Sequence, residues 1–374
     1  MEKTPVYLDY NASAIMRPPV ADLMRDIMSA PGNASSIHGF GRAARKHIEL
    51  AREKVAALAG THPNYVTFTS GATEANNAVL KHFSGERILV SAIEHPSVLE
   101  SAPQAERIPV NKDGLIDLGG FERLLDGEEV ALISIMLVNN ETGVIQPIEE
   151  LVRLARARHP RVFFHTDAVQ AAGKIQIDLA MLGVDYLSLS AHKMGGPHGA
   201  GALLCAPGSE PVPFIHGGGQ EKRQRAGTEN VAAIAGFGLA AEIALTEIPA
   251  YQKLSDLRDE LERTLQQAAP EIVVFGQGAP RVANTSNIGL PGIAANTQLM
   301  NLDIEGIAVS SGSACSSGTV KPSHVLEAMH ASPDLTSHAL RVSMGWNTKP
   351  EEIKRLAEAW LKMYDRVQDK VKKA

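Results

Sequence analysis

Lys193 is the residue best placed in this chain to do covalent chemistry. It follows an apolar, β-leaning run over 184–190 and precedes a stretch crowded with glycine and proline over 194–201. The run reads as a buried strand and the stretch after it as a loop. A primary amine at the mouth of a buried strand can carry a group covalently; taken alone, a lysine is otherwise a solvated surface amine. A second apolar run, 162–166, ends in Asp167-Ala168-Val169-Gln170. In a parallel α/β sheet the carboxyl ends of the strands form the ligand crevice, so Asp167, Gln170, Ser190, His192 and Lys193 would face one site.

That set of residue types suits pyridoxal 5'-phosphate. The aldehyde of this cofactor needs an amine, and its ring nitrogen needs a carboxylate to stay protonated. Its phosphate needs hydroxyls and backbone amides, best supplied where a helix begins. Ser70-Gly71-Ala72-Thr73-Glu74 joins a strand-like run, 65–69, to a helical one. It reads either as that phosphate site or as a plain helix start capped by Thr73. The basic, glycine-rich stretch 217–230 allows two readings as well: an anion site, or a solvated loop in which Thr228 caps the next helix. Cys315 lies among small residues, Ser311-Gly312-Ser313-Ala314-Cys315-Ser316-Ser317-Gly318. Such a run is a poor core, which favours a reactive thiol over a buried one.

The elements that must position these groups follow from the rest of the chain. Its 374 residues are too many for one ordinary core, so two domains are expected. Hydrophobic residues at 44% and charged residues at 21% are ordinary for a globular enzyme, and a net charge of −6 argues against a nucleic-acid partner. The start, MEKTPVYLDYN, is polar and has no signal-like apolar region, and no run is expected to span a membrane. Cys205 and Cys315 alone suggest neither a disulfide framework nor a zinc site, which points to a reducing cytoplasm. Helices are expected over 20–28, 37–58, 148–158 and from 230, with strands over 7–12, 65–69, 87–91, 130–138 and 201–205. This alternation predicts an α/β fold: a mostly parallel sheet with helices on both faces, spanning 16–250. Residues 1–15 and 251–374 would form a smaller α+β domain carrying the cysteine loop. Its strands fall near 272–275, 285–289, 307–310 and 339–343, its helices from 296 and over 350–370.

With these residues laid out, the chain resembles the cysteine desulfurases, a class V branch of the fold-type I pyridoxal-phosphate transferases. The resemblance rests on YLDYNA at Tyr7, GNASSIH at Gly32, TSGATEANN at Thr69, EHPSVL at Glu94 and VNNETG at Val138. It continues through HTDAVQ at His165, SAHKMGGPHG at Ser190, GGGQEKRQRAGTEN at Gly217, SSGSACSSG at Ser310 and LRVSMG at Leu340. It implies that Lys193 bonds the cofactor aldehyde and that Asp167 partners the pyridine nitrogen. His95 would stack on the ring, Gln170 would bond its phenolic oxygen, and Asn140 would lie near that oxygen and the substrate carboxylate. Ala72, Thr73, Ser190 and His192 would hold the phosphate, and Thr228 the phosphate of a neighbouring subunit in a homodimer. Arg341 would clamp the carboxylate of L-cysteine. The products would be L-alanine and a persulfide on Cys315, passed to sulfur-acceptor proteins for iron–sulfur or other thio-cofactor biosynthesis. A selenocysteine lyase, an aminotransferase and a sulfur-feeding interaction component are the other readings. The loop thiol argues against transamination, which needs no protein sulfur.

Overall fold

The computed structural model describes residues 4–311 and 322–371. Its largest sheet has seven strands, in the order Val66–Thr69, Gly201–Cys205, Tyr186–Ser190, Phe163–Asp167, Leu132–Ser134, Ile88–Ser91, Glu106–Ile108. Gly201–Cys205 runs antiparallel to both of its neighbours, and the remaining pairs are parallel. Alternate side chains serve opposite faces, as a period of two requires. Leu132, Val90 and Tyr186 pack with the helix Ala72–His82, while Ile133, Leu89 and Leu187 join Phe237 and Ile48 on the other side. The expected mostly parallel sheet, covered on both faces, is therefore present. Gly201 permits one close approach that shapes the site, because a Cβ there would fall 2.6 Å from Gly71 Cα and 2.7 Å from Leu189 O.

A separate apolar cluster gathers Val6 and Leu8 with Leu261, Ile288, Leu340, Leu356 and Trp360. It lies with the antiparallel sheet Ala339–Ser343, Thr285–Gly289, Val273–Val274 and the parallel pair Val6–Tyr7 with Ile307–Ala308. The final helix, Pro350–Val371, shows its buried face to this cluster.

One local expectation needs correction, and two of the alternative readings fall away. The apolar run 130–138 forms a strand only over Leu132–Ser134, because the N–H of Met136 is taken by Glu94 Oε1 at 2.6 Å and Val138 turns back to bridge Ile145. Thr228 does not cap the helix Val231–Gln252; Asn230 Oδ1 does, accepting from Ala233 N at 3.1 Å. Nor does Thr73 cap Ala72–His82, which starts at Gly71 with no side-chain bond. Against the expectation that no run is long enough to span a membrane, Val231–Gln252 is apolar and long enough. It is a core helix here, with 61% of its apolar stretch buried, and it packs on Gly39–Leu58 and Pro18–Met28.

The loop ahead of that helix is strained. Glu221, Lys222 and Arg223 have φ of 44°, 54° and 67°, left-handed values that cost non-glycine residues free energy. A buried ion pair holds them: Arg52 Nη1 and Nη2 each donate at 2.8 Å to the Glu221 carboxylate, which also accepts from Phe68 N at 2.8 Å. Replacing Arg52 with methionine would leave that carboxylate buried and uncompensated. The expected loss is about 3–5 kcal/mol, read as a fall in the denaturation midpoint; a change below about 1 kcal/mol would refute the anchor.

Candidate active site

Each group sits at the end of an element. Asp167 closes the strand Phe163–Asp167, Ser190 closes Tyr186–Ser190, and a single helical turn, Ala191–Lys193, carries His192 and Lys193 beyond it. Lys193 Nζ donates to two backbone carbonyls, Asn11 O at 2.6 Å and Ala12 O at 2.8 Å. Burial pushes its pKa down to about 8, helped by Arg341 and opposed by Asp167 and Asp9. Its amine is thus far easier to deprotonate than that of an ordinary lysine.

Asp167 is buried, and each of its oxygens is held. Oδ1 accepts from Val169 N at 3.0 Å and Oδ2 from Asn76 Nδ2 at 2.7 Å. The same Asn76 amide donates to Ser97 Oγ at 2.9 Å, and that hydroxyl lies 2.8 Å from His95 Nδ1. Ser97 N also donates to His95 Nδ1 at 3.1 Å, so the neutral ring carries its proton on Nε2. Removal from bulk water lowers the His95 pKa, Lys193 and His324 lower it further, and Asp167 opposes them. His192 is pushed down to about 4 by burial, then by Lys193 and His198. Both imidazoles are neutral at physiological pH.

Opposite them, the strand Ala339–Ser343 presents Arg341. Its Nη1 donates to Asn140 O at 3.1 Å and its Nη2 to Asp9 Oδ1 at 2.7 Å. Its Nε is buried without a partner among the described residues. Gln170 Nε2 donates to Asn11 O at 2.9 Å. Asn11 Nδ2 bonds Asn140 O at 3.1 Å and Thr285 Oγ1 at 2.9 Å. Lys193, Gln170, Asn140 and Arg341 are thus joined through Asn11, with Asp167 and His95 close enough to act on Lys193 electrostatically.

The helix Ala72–His82 leaves its first amides without a side-chain cap and exposes Thr73. Glu74, in that first turn, is drawn aside: it pairs with Arg225 at 2.9 Å and accepts from Ser70 N at 3.0 Å. Burial raises its pKa, but those two partners bring it below the usual range. Arg225 thereby ties the 217–230 loop to the helix start. Thr228 is exposed on that loop. Cys315 lies outside the described residues.

Sequence reasoning quoted Asn11 within a motif but assigned it no role, and it did not single out Asp9, Asn76, Ser97 or Lys174. Asn11 and Lys193 are 182 residues apart, and no spacing signals that contact. Lys174 lies four residues after Gln170, a helical-turn spacing that could have drawn notice.

The family profile of the class-V aminotransferases matches residues 6–356, and the chain belongs to that family. The cysteine desulfurase IscS of Dictyoglomus turgidum is 40% identical over 366 residues, covering 94% of this chain and 92% of that protein. A NifS-like protein from Rickettsia africae superposes with a TM-score of 0.90 at 35% identity, covering 97% of this chain and 100% of that one. The structure of SspA in complex with cysteine gives a TM-score of 0.78 at 30% identity over 91% of this chain and 99% of that one. Within the class-V family the chain is a cysteine desulfurase.

Proposed function

We propose that this desulfurase uses pyridoxal 5'-phosphate to take sulfur from L-cysteine, leaving L-alanine and a persulfide on Cys315. One observation carries the cofactor reading: Lys193, at a strand mouth, has a pKa lowered to about 8 and among the described residues bonds only to carbonyl oxygens, across from Asp167. The rest of the donor set fits the group. The uncapped start of Ala72–His82 suits a phosphate, which Thr73, Ser190, His192 and the backbone N–H of Ala72 would hold. The Arg341 Nε, without a partner among the described residues, supports a further acceptor at that guanidinium, such as the substrate carboxylate. The cysteine bound by SspA supports the same substrate class.

When bound, the cofactor supplies an electron sink for bonds made to its aldehyde carbon. The chain does the rest. Asp167, held by Asn76 and the Val169 amide, would keep the ring nitrogen protonated. Lys193 Nζ, as a free amine, accepts the α-proton of the substrate. Arg341 and Asn140 orient the carboxylate. His95, neutral and carrying its proton on Nε2, would stack on the ring, and Gln170 Nε2 would donate to the phenolic oxygen. The Cys315 thiolate then attacks the substrate sulfur, taking that atom as a persulfide while the carbon skeleton leaves as alanine.

Thr228, exposed on an anchored loop, reaches the phosphate of a second copy, which makes the working unit a homodimer. Residues 16–250 form the cofactor domain, and 1–15 with 251–374 the smaller one. The enzyme acts in the cytoplasm and hands its sulfur to acceptor proteins of iron–sulfur or thio-cofactor assembly.

The purified dimeric fraction from sedimentation should be yellow. Given cysteine and a reductant, it should release sulfide and alanine in equal amounts. A colourless protein, active monomers, or keto acid in place of alanine would overturn the corresponding part.

A further inference from the structure

Lys174 is 3% exposed, and among the described residues it bonds two amide oxygens and no carboxylate. Its Nζ donates to Gln170 Oε1 at 2.6 Å and to Asn11 Oδ1 at 2.8 Å. Burying an amine without a counter-charge costs free energy that an apolar side chain of the same length would not. What the amine fixes is direction. An ammonium has donors and no acceptor, whereas a side-chain amide has one face of each kind and can turn over. With its oxygen on Lys174, Gln170 presents its NH₂ to Asn11 O, the carbonyl that also accepts from Lys193 Nζ. With its oxygen on Lys174 and on Asn284 Nδ2 at 3.1 Å, Asn11 must point its NH₂ at Asn140 O and Thr285 Oγ1. Burial, with Lys193 and Arg341, pushes the pKa of Lys174 down; a neutral amine gains a lone pair that can accept, but its two N–H groups still match the two amide oxygens it touches.

We propose that Lys174 is a positioning residue that holds the amide of Gln170 with its NH₂, and not its oxygen, facing the Lys193 site. The inference deepens the cofactor reading, since the acceptor waiting for that NH₂ is the phenolic oxygen. In the protein without cofactor it has a consequence of its own. A Gln170 amide free to turn would offer Oε1 to the Lys193 ammonium and keep it charged to higher pH. The other groups facing Lys193 are the carboxylates of Asp9 and Asp167, the guanidinium of Arg341, and the imidazoles of His95 and His192.

The test is the pH dependence of Lys193 acetylation by acetic anhydride in cofactor-free protein, read by mass spectrometry of the peptide. Wild type should give a midpoint near 8. Lys174→Met should move it up by about one unit, a roughly tenfold loss of reactive amine near the wild-type midpoint. Lys174→Arg, which keeps only donors, should stay close to wild type. Removing a positive charge would also raise the midpoint, so both states of residue 174 are compared again with Gln170→Ala. If Lys174 acts through Gln170, the shift disappears in that background. A shift that persists there, or no shift with Lys174→Met, overturns the proposal. Should methionine prevent folding, Lys174→Gln, which can turn either face to Gln170, should give a smaller upward shift, and its absence overturns the proposal equally. Because the measurement uses no cofactor, a wild type that stays colourless with pyridoxal 5'-phosphate would sink the cofactor reading and leave this test standing.

Discussion

Replacing Lys193 with alanine is expected to abolish the visible absorbance of the purified protein and lower alanine formation by at least roughly 10⁴-fold. Two roles should fall together, because on the proposed reading the same amine would secure the cofactor and accept the α-proton. The fold should survive, since Nζ donates to two carbonyls that water can serve near the cleft. Retention of the yellow band, unaffected by borohydride, would refute the assignment. The lowered pKa adds a sign. The reactive form is the free amine, so the rate at which cofactor-free wild type captures pyridoxal 5'-phosphate should rise with pH and level off above about 8. An unperturbed lysine would keep gaining to about 10.4. A capture rate that is flat from pH 6 to 10 would show that deprotonation of Lys193 is not limiting.

The second large effect separates carbon chemistry from sulfur chemistry. Cys315→Ala should still be yellow and should change its spectrum when cysteine is added, because Lys193, Asp167, His95 and Arg341 are all intact. It should make no detectable alanine or sulfide. Stability should change by about 0.5 kcal/mol or less, the usual range for a substitution in a run of small residues such as the sequence reads as a loop. Serine at this position should fail as alanine does, since a hydroxyl is a weak nucleophile and cannot store sulfur. Given cysteine without reductant, the wild-type enzyme should carry one extra sulfur that maps to the Cys315 peptide. Cys205 cannot take its place: it lies in the strand Gly201–Cys205, and burial, with Asp185 adding, pushes its thiol up to about 12. A thiol held so far from ionisation is a poor nucleophile at neutral pH. Sulfide release by Cys315→Ala at the wild-type rate would mean that sulfur leaves the substrate directly, as in a lyase.

The ends of the strands were legible in the sequence because their signal is local. An apolar run that stops at a polar residue marks a strand end, and parallel sheets gather such ends on one edge. Asp167 and Ser190 were found this way, and Arg341 lies in a strand, Ala339–Ser343, with the expected bounds. The same reasoning overran Leu132–Ser134, because a hydrophobic pattern cannot reveal that a distant carboxylate, Glu94, will claim the amide of Met136. It expected the helix from 230 but not that Val231–Gln252 is long and apolar enough to cross a membrane; composition alone cannot tell a helix buried in protein from one that crosses lipid.

By itself, the sequence determined the chemical types in the site and the layered sheet that brings them to one edge. Both follow from residue identity and from periods of two and 3.6. Only the tertiary structure decided how those groups are oriented. Asn11 receives Lys193 and Gln170 on its backbone oxygen and Lys174 on its side chain, from segments some 160 to 180 residues away. Hydrogen bonds of that range leave no periodicity in the chain, and which face an amide turns to its neighbours depends on donors that arrive only when the chain is folded.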